Sequence, residues 1–197
     1  MENSTLQITV FPATAERWPD LEALFGDHGA YGNCWCTFWR IKRSEFSKMK
    51  GEEKKALLKE WTTLPIAPGV LAYDGDKPVG WCAIQPRQNL YPLANSKIFK
   101  PVDDQPVWSI VCFFVDKSAR QQGVMQALLR GALDYARQNG AAIVEGYPVD
   151  LQSAPLAGKK LTGYKGFMGI ASAYREVGFV EVGRVSETQL IMRCRVS

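Results

Sequence analysis

Val115-Asp116-Lys117-Ser118-Ala119-Arg120-Gln121-Gln122-Gly123-Val124-Met125 is the stretch on which the reading of this chain turns. Before it, residues 107–115 are almost wholly apolar, as in a strand covered on both faces. After it, residues 123–139 carry the clearest helical pattern of the sequence. Val124, Leu128, Leu129, Ala132, Leu133 and Ala136 share one stripe, and Asn139-Gly140 is a stop signal. A short polar turn therefore leads a buried strand into a helix N-terminus. Such a terminus offers unpaired N–H groups and about half a positive charge, which suits phosphate oxygens. Gly123 permits close backbone approach, and Arg120 adds a cation with bidentate geometry. An ordinary strand-to-helix connection has the same outline, so the turn alone leaves both readings open.

Working outward, residues 141–147 form a second buried strand after the helix, which completes a strand–helix–strand unit. Val70-Leu71-Ala72-Tyr73 and Pro78-Val79-Gly80-Trp81-Cys82-Ala83-Ile84 flank Asp74-Gly75, a hairpin signal, because glycine accepts the positive φ of a tight turn. Residues 6–11 alternate as a strand, 15–25 and 52–61 read as amphipathic helices, and 26–33 as a loop. Residues 85–105 and 151–164 are polar, proline-bearing stretches expected to be irregular. A short helix over 170–177 and two strands, 179–185 and 189–196, end the chain. The order β-α-α-β-β-β-α-β-α-β-β is mixed α/β.

With 197 residues, 46% hydrophobic and 22% charged, this is the composition of one folded domain spanning 1–197. A chain of that length buries roughly 70% of its unfolded surface, so it needs neither disulfides nor a structural metal. No apolar run approaches the ~20 residues that span a bilayer, and the first residues are unlike a secretory leader. A net charge of +4 is too small and too evenly spread for a nucleic-acid binder. Five cysteines, two of them in Cys34-Trp35-Cys36, suit a reducing cytoplasm. A single histidine, His28, excludes HExxH-type zinc chemistry.

The turn resembles motif A of the GNAT superfamily of acetyl-CoA-dependent N-acetyltransferases, Q/R-x-x-G-x-G/A after the fourth strand. Arg120 and Gly123 match its first two marked positions, whereas Met125 departs from the third. Val79-Gly80-Trp81 resembles the start of the family's third strand. Tyr174-Arg175-Glu176-Val177-Gly178-Phe179 resembles its Y-x-x-x-G-F segment, and Ile191-Met192-Arg193 its last strand. The resemblance implies a mostly antiparallel sheet splayed between strands 4 and 5 and flanked by helices. It implies acetyl-CoA as acyl donor without a metal, a small-molecule primary amine as acceptor, and relatives that commonly dimerise. Backbone groups of Phe113, Phe114 and Val115 would pair with the pantetheine arm. Arg120 and the amides of Gln121, Gln122, Gly123, Val124 and Met125 would hold the pyrophosphate.

Acetyl transfer to an amine needs a held cofactor, a proton acceptor for the amine, a donor to the oxyanion and a donor to the leaving thiolate. Tyr174 is the family-matched donor to the thiolate, or else a packing aromatic. A tyrosine at pKa ~10 gives up its proton uphill to a thiol at ~8.5, so its first role is as hydrogen-bond donor. The strand 107–115 holds no glutamate to act as base. Glu145, in an otherwise apolar strand, is the substitute: a base, a binder of the acceptor's ammonium, or half of a structural ion pair. Asp150 or a water chain are further options. Tyr31, Trp35 and Trp39, with Phe38 and Arg40, either wall the acceptor site or cover the sheet. Cys112 reads as a small core residue, His28 as a solvated loop residue, and Lys159-Lys160 as a solubilising pair. Cys34 and Cys36 lack the spacing and partners of a zinc site. Met125 and the missing base keep a second reading in play, a catalytically silent acyl-CoA-binding or interaction module.

Overall fold

The hairpin at Asp74-Gly75 forms as expected, with Gly75 at φ +58° in the turn. It joins β2 (Gly69–Asp74) to β3 (Lys77–Pro86) in antiparallel register, Val70 opposite Cys82 and Leu71 opposite Trp81. This computed structural model describes residues 7–158 and 166–196. The other strands are β1 (Ile8–Pro12), β4 (Trp108–Val115), β5 (Ile143–Gly146), β6 (Val180–Ser186) and β7 (Gln189–Arg195). All seven make one sheet in the order β1-β2-β3-β4-β5-β7-β6. β4 and β5 pair in parallel through Trp108–Val144, Ser109–Glu145 and Ile110–Gly146; every other neighbouring pair is antiparallel. Beyond Ile110 the two strands part, which is the splay the resemblance implied.

Both faces of the sheet are covered, and alternation along β2 shows how. Val70 and Ala72 face α5 (Val124–Gln138) and pack with Leu128, Leu129 and Ala132. Leu71 and Tyr73 face the other way, toward α1 (Trp18–Phe25), Trp35 and Trp81. α5 lies close to the strands because two glycines let it. A Cβ on Gly80 would stand 2.8 Å from Val124 Cγ1, and one on Gly131 would stand 2.3 Å from Val10 Cγ1.

Three expectations are revised. The first helix is split into a 3-10 turn, Ala15–Arg17, and α1, because Pro19 fixes the start of a new helix and offers no N–H to the turn before it. A short α2 (Arg43–Phe46) precedes α3 (Gly51–Trp61) where no helix was expected. The stretch 85–105 is not wholly irregular: β3 runs on to Pro86, and a 3-10 turn, Arg87–Asn89, leads to α4 (Tyr91–Ala94). α6 (Ala171–Glu176) closes the fold before β6. Lys159, Lys160 and the end of the 151–164 loop lie outside the described residues. No described helix is long and apolar enough to cross a membrane.

Candidate active site

The splay of β4 from β5 opens the sheet where two cavities meet. The smaller, about 430 Å³, lies between the end of β4 and the start of α5, with Val115, Arg120, Gln121, Gly123 and Met125 on its walls. Gly123 caps α5 at φ +80° and Gln121 also has a positive φ, 62°, so the chain turns tightly and leaves the first amides of a 15-residue helix facing outward. A Cβ at Gly123 would meet nothing within 4 Å, so the glycine serves the turn's conformation. Asp116 braces the turn by accepting from the Ser118 amide at 2.8 Å, and Arg120 Nε donates to the Val115 carbonyl at 3.2 Å. The Ser118 hydroxyl, followed by the Ser118 amide, holds the Asp116 carboxyl below its usual range. Of the expected cofactor residues, Phe113, Phe114, Val115, Arg120, Gln121, Gly123, Val124 and Met125 border this cleft. Gln122 does not; it is exposed and donates to the Ser118 carbonyl at 2.8 Å.

The larger cavity, about 810 Å³, lies on the α1 side. Tyr31, Phe38, Trp39 and Phe99 line it, with the thiols of Cys34, Cys36 and Cys112 among its walls. Tyr31 and Trp39 therefore stand on its wall. Trp35 does not: it is 3% exposed and stacks on Trp18 at 6.2 Å. Its positive φ of 46° turns it inward, and Gly29 makes room, since a Cβ there would lie 2.4 Å from the indole nitrogen. Cys112, expected as core filler, reaches the cavity wall. Cys36 accepts from Trp81 Nε1 at 3.2 Å. The neighbouring Cys112 thiol, followed by the Trp81 indole, holds Cys36 below the ordinary thiol range despite burial, and Cys112 is pushed well above. Burial, followed by the neighbouring Cys36 charge, lifts Cys34 to about 11. No described cluster of His, Cys, Asp or Glu is arranged to hold a metal. His28 is exposed on its loop.

Phe167 borders both cavities. Its carbonyl accepts from the Phe113 amide at 2.6 Å, and the next carbonyl, Met168, accepts from the Tyr174 hydroxyl at 3.2 Å. Gly169, at φ +87°, ends the segment and links it to Val149 through the Val149 amide at 3.0 Å. A run of the chain's own backbone thus fills the wedge between β4 and the extension of β5. Tyr174 stands in the same wedge. Its ring meets Phe113 edge-on, and Gly146 has no room for a Cβ, which would lie 2.2 Å from Tyr174 Cε1. Tyr174 is fully buried, and that burial lifts its hydroxyl well above the usual phenol range.

Glu145 lies below this wedge, 1% exposed, and is doubly paired. Arg87 Nη1 reaches Oε1 at 3.1 Å and Arg193 Nε reaches Oε2 at 2.8 Å. Tyr147 donates to Oε1 at 2.5 Å and touches Ser109 at 3.1 Å. Arg87 also donates to the Leu93 and Phe99 carbonyls, and Arg193 to Asp103 at 2.8 Å. The network pins the 87–105 excursion onto β5 and β7. Of the alternatives the sequence left open, this geometry favours the structural pair, since both carboxylate oxygens are already engaged by guanidinium groups. Asp150 is occupied too, accepting from the Gln152 amide at 3.2 Å and facing Arg184 at 3.7 Å. Arg87, Tyr147 and Phe167 had no signature in the sequence; only an arginine in an otherwise neutral stretch pointed to the first.

The comparisons agree with this geometry. The profile of the acetyltransferase (GNAT) family matches residues 35–163. No curated protein matches the chain. Among solved structures, a GNAT-family acetyltransferase from Streptococcus pneumoniae superposes with a TM-score of 0.54 at 14% identity, covering 97% of this chain and 100% of that one. YncA, a putative acetyltransferase from Salmonella typhimurium solved with acetyl-CoA, gives 0.53 at 10% identity over 96% and 94%. The ribosomal-protein-S5-alanine acetyltransferase of Vibrio fischeri gives 0.54 at 14% identity over 100% and 96%. At such identities the structural likenesses speak for the fold, and the profile match speaks for descent: the chain is an acyltransferase belonging to the GNAT family of acetyltransferases.

Proposed function

We propose that this protein moves the acetyl group of acetyl-CoA to the amine of a small molecule, in a reducing compartment such as the cytoplasm. One observation carries the reading: an anion-ready helix terminus and an apolar acceptor-sized cavity meet at a single strand, β4, with Phe167 between them. Arg120 and the outward amides of Gln121 and residues 123–125 suit a pyrophosphate. Phe113 and Val115 have backbone groups to pair with a pantetheine arm. The acyl donor supplies an activated thioester; the remaining work belongs to side chains and amides. Tyr174 stands in the wedge and can donate to the departing thiolate. Its raised pKa makes it a hydrogen-bond donor rather than a source of a full proton. All five cysteines are unpaired, in keeping with a reducing compartment.

Two of the donors this chemistry needs, the Phe113 amide and the Tyr174 hydroxyl, are bonded to consecutive carbonyls of one segment. Productive binding therefore requires residues 167–168 to move aside, releasing both at once. That same occupancy favours the second reading, a silent acyl-CoA-binding module on this fold. Release of free coenzyme A thiol, measured with acetyl-CoA and a panel of amines, separates the two. Amine-dependent thiol release is the expected result. Cofactor binding with thiol release that no amine accelerates would select the silent module.

A further inference from the structure

We infer that the larger cavity selects a flat aromatic amine that carries an anionic group. The inference rests on the proposed acetyl transfer for the role of the amine, and on the cavity alone for the rest of the molecule. Among the described residues that line the cavity, Arg43 is the one charged side chain, and it is exposed at the mouth. No described lining residue is acidic. The carboxylates on adjoining elements are committed elsewhere, Glu145 to Arg87 and Arg193, Asp150 to Arg184. A polyamine or any other polycation would enter without a counter-charge and past a cation, so the site disfavours it.

The walls argue for a ring. Phe38 and Trp39 meet at 89° with centroids 5.2 Å apart, and Trp39 and Phe99 meet at 89° and 5.8 Å. Such a perpendicular set offers both faces and edges to a flat guest, the arrangement in which aromatic quadrupoles attract. The volume of about 810 Å³ accommodates a ligand of drug-like size. Arg43 lies over the Phe38 ring at 5.2 Å, which steadies its guanidinium at the mouth, where a carboxylate on the guest can pair with it. The inner end, at buried Cys36 and half-buried Cys112, adjoins β4 and so the wedge. An amine attached to an aromatic ring also reaches the site already unprotonated at neutral pH. It therefore needs no carboxylate to strip an ammonium before attack, and no described residue of the cavity supplies one; the proton released as the amide forms passes to the departing thiolate.

Intrinsic tryptophan fluorescence, with Trp39 on the cavity wall, reads binding without acetyl-CoA. Titration of the wild-type protein with 4-aminobenzoate, aniline and spermidine should show saturable quenching by 4-aminobenzoate, weaker quenching by aniline and none by spermidine. Arg43→Ala should weaken 4-aminobenzoate about fivefold, bringing it level with aniline. Spermidine binding as tightly as 4-aminobenzoate, no saturable binding of 4-aminobenzoate, or an equal loss for both aromatic probes in Arg43→Ala would overturn the inference. The proposed reaction fails separately. If the aromatic probes bind in this order yet release no thiol from acetyl-CoA, the cavity's preference stands and acetyl transfer falls. If spermidine is the amine that accelerates thiol release, transfer stands and this preference falls.

Discussion

The backbone amide of Phe113 donates to the carbonyl of Phe167 at 2.6 Å, so an edge of β4 that the family resemblance reserves for the pantetheine arm is satisfied by the chain itself. A buried amide left without a partner is costly, and this bond keeps the edge satisfied when no cofactor is there. Exchanging one acceptor for another costs little, so under the proposed function the segment stands in for the cofactor, which would replace it. Amide hydrogen exchange measured with and without coenzyme A tests this. Exchange across 166–169 should speed up on binding while the Phe113 amide stays protected. Slower exchange across 166–169 would mean that the segment stays in the wedge.

Tyr174→Phe removes the hydroxyl and keeps the ring that fills the space beside Gly146. Loss of its bond to Met168 should cost about 1 kcal/mol of stability. Turnover should fall by about 10²-fold if the hydroxyl assists thiolate departure, with the affinity for acetyl-CoA little changed. Steady-state kinetics and calorimetry together check the split. Undiminished turnover would make Tyr174 a packing residue only.

Glu145→Gln leaves two buried guanidinium groups facing a neutral amide. Breaking such a pair by removing one partner should cost about 3–5 kcal/mol in denaturant unfolding. A general base would behave differently: turnover would collapse while stability held. Urea melts beside initial rates distinguish the two, and a stable but inactive variant would contradict the structural assignment.

The cavity thiols should respond to pH in a definite order. The Trp81 indole and the Cys112 thiol favour the Cys36 thiolate, so Cys36 should react with iodoacetamide below the pH of ordinary thiols, ~8.5. Cys34, raised to about 11, carries its proton until strong alkali and should label only there. Peptide mapping after timed alkylation reads both. Labelling of Cys34 ahead of Cys36 at neutral pH would refute the order.

How far the sequence carried this picture depended on the distance between partners. The hairpin at Gly75, the stripe of α5 and the turn at Gly123 are local, written by residues within a few positions of each other, and they were legible. The role of Glu145 was not. Its partners Arg87 and Arg193 are 58 and 48 residues away, and a lone carboxylate in a strand looks the same whether it is a base or a brace. Trp35 and Trp39 are equally aromatic on paper. Only the left-handed backbone at Trp35 and the space above Gly29 send one into the core and leave the other on the cavity wall. Phe167 was invisible for a plainer reason: its contribution is a backbone carbonyl, which every residue has.

Under the proposed function, the outward amides at the start of α5, with Arg120, grip the diphosphate of coenzyme A. Calorimetric titration of coenzyme A into the wild-type protein and into Arg120→Ala measures it directly. Saturable one-to-one binding is expected, weakened roughly five- to tenfold by the substitution. Absence of saturable heat, or an affinity that Arg120→Ala leaves untouched, would contradict it.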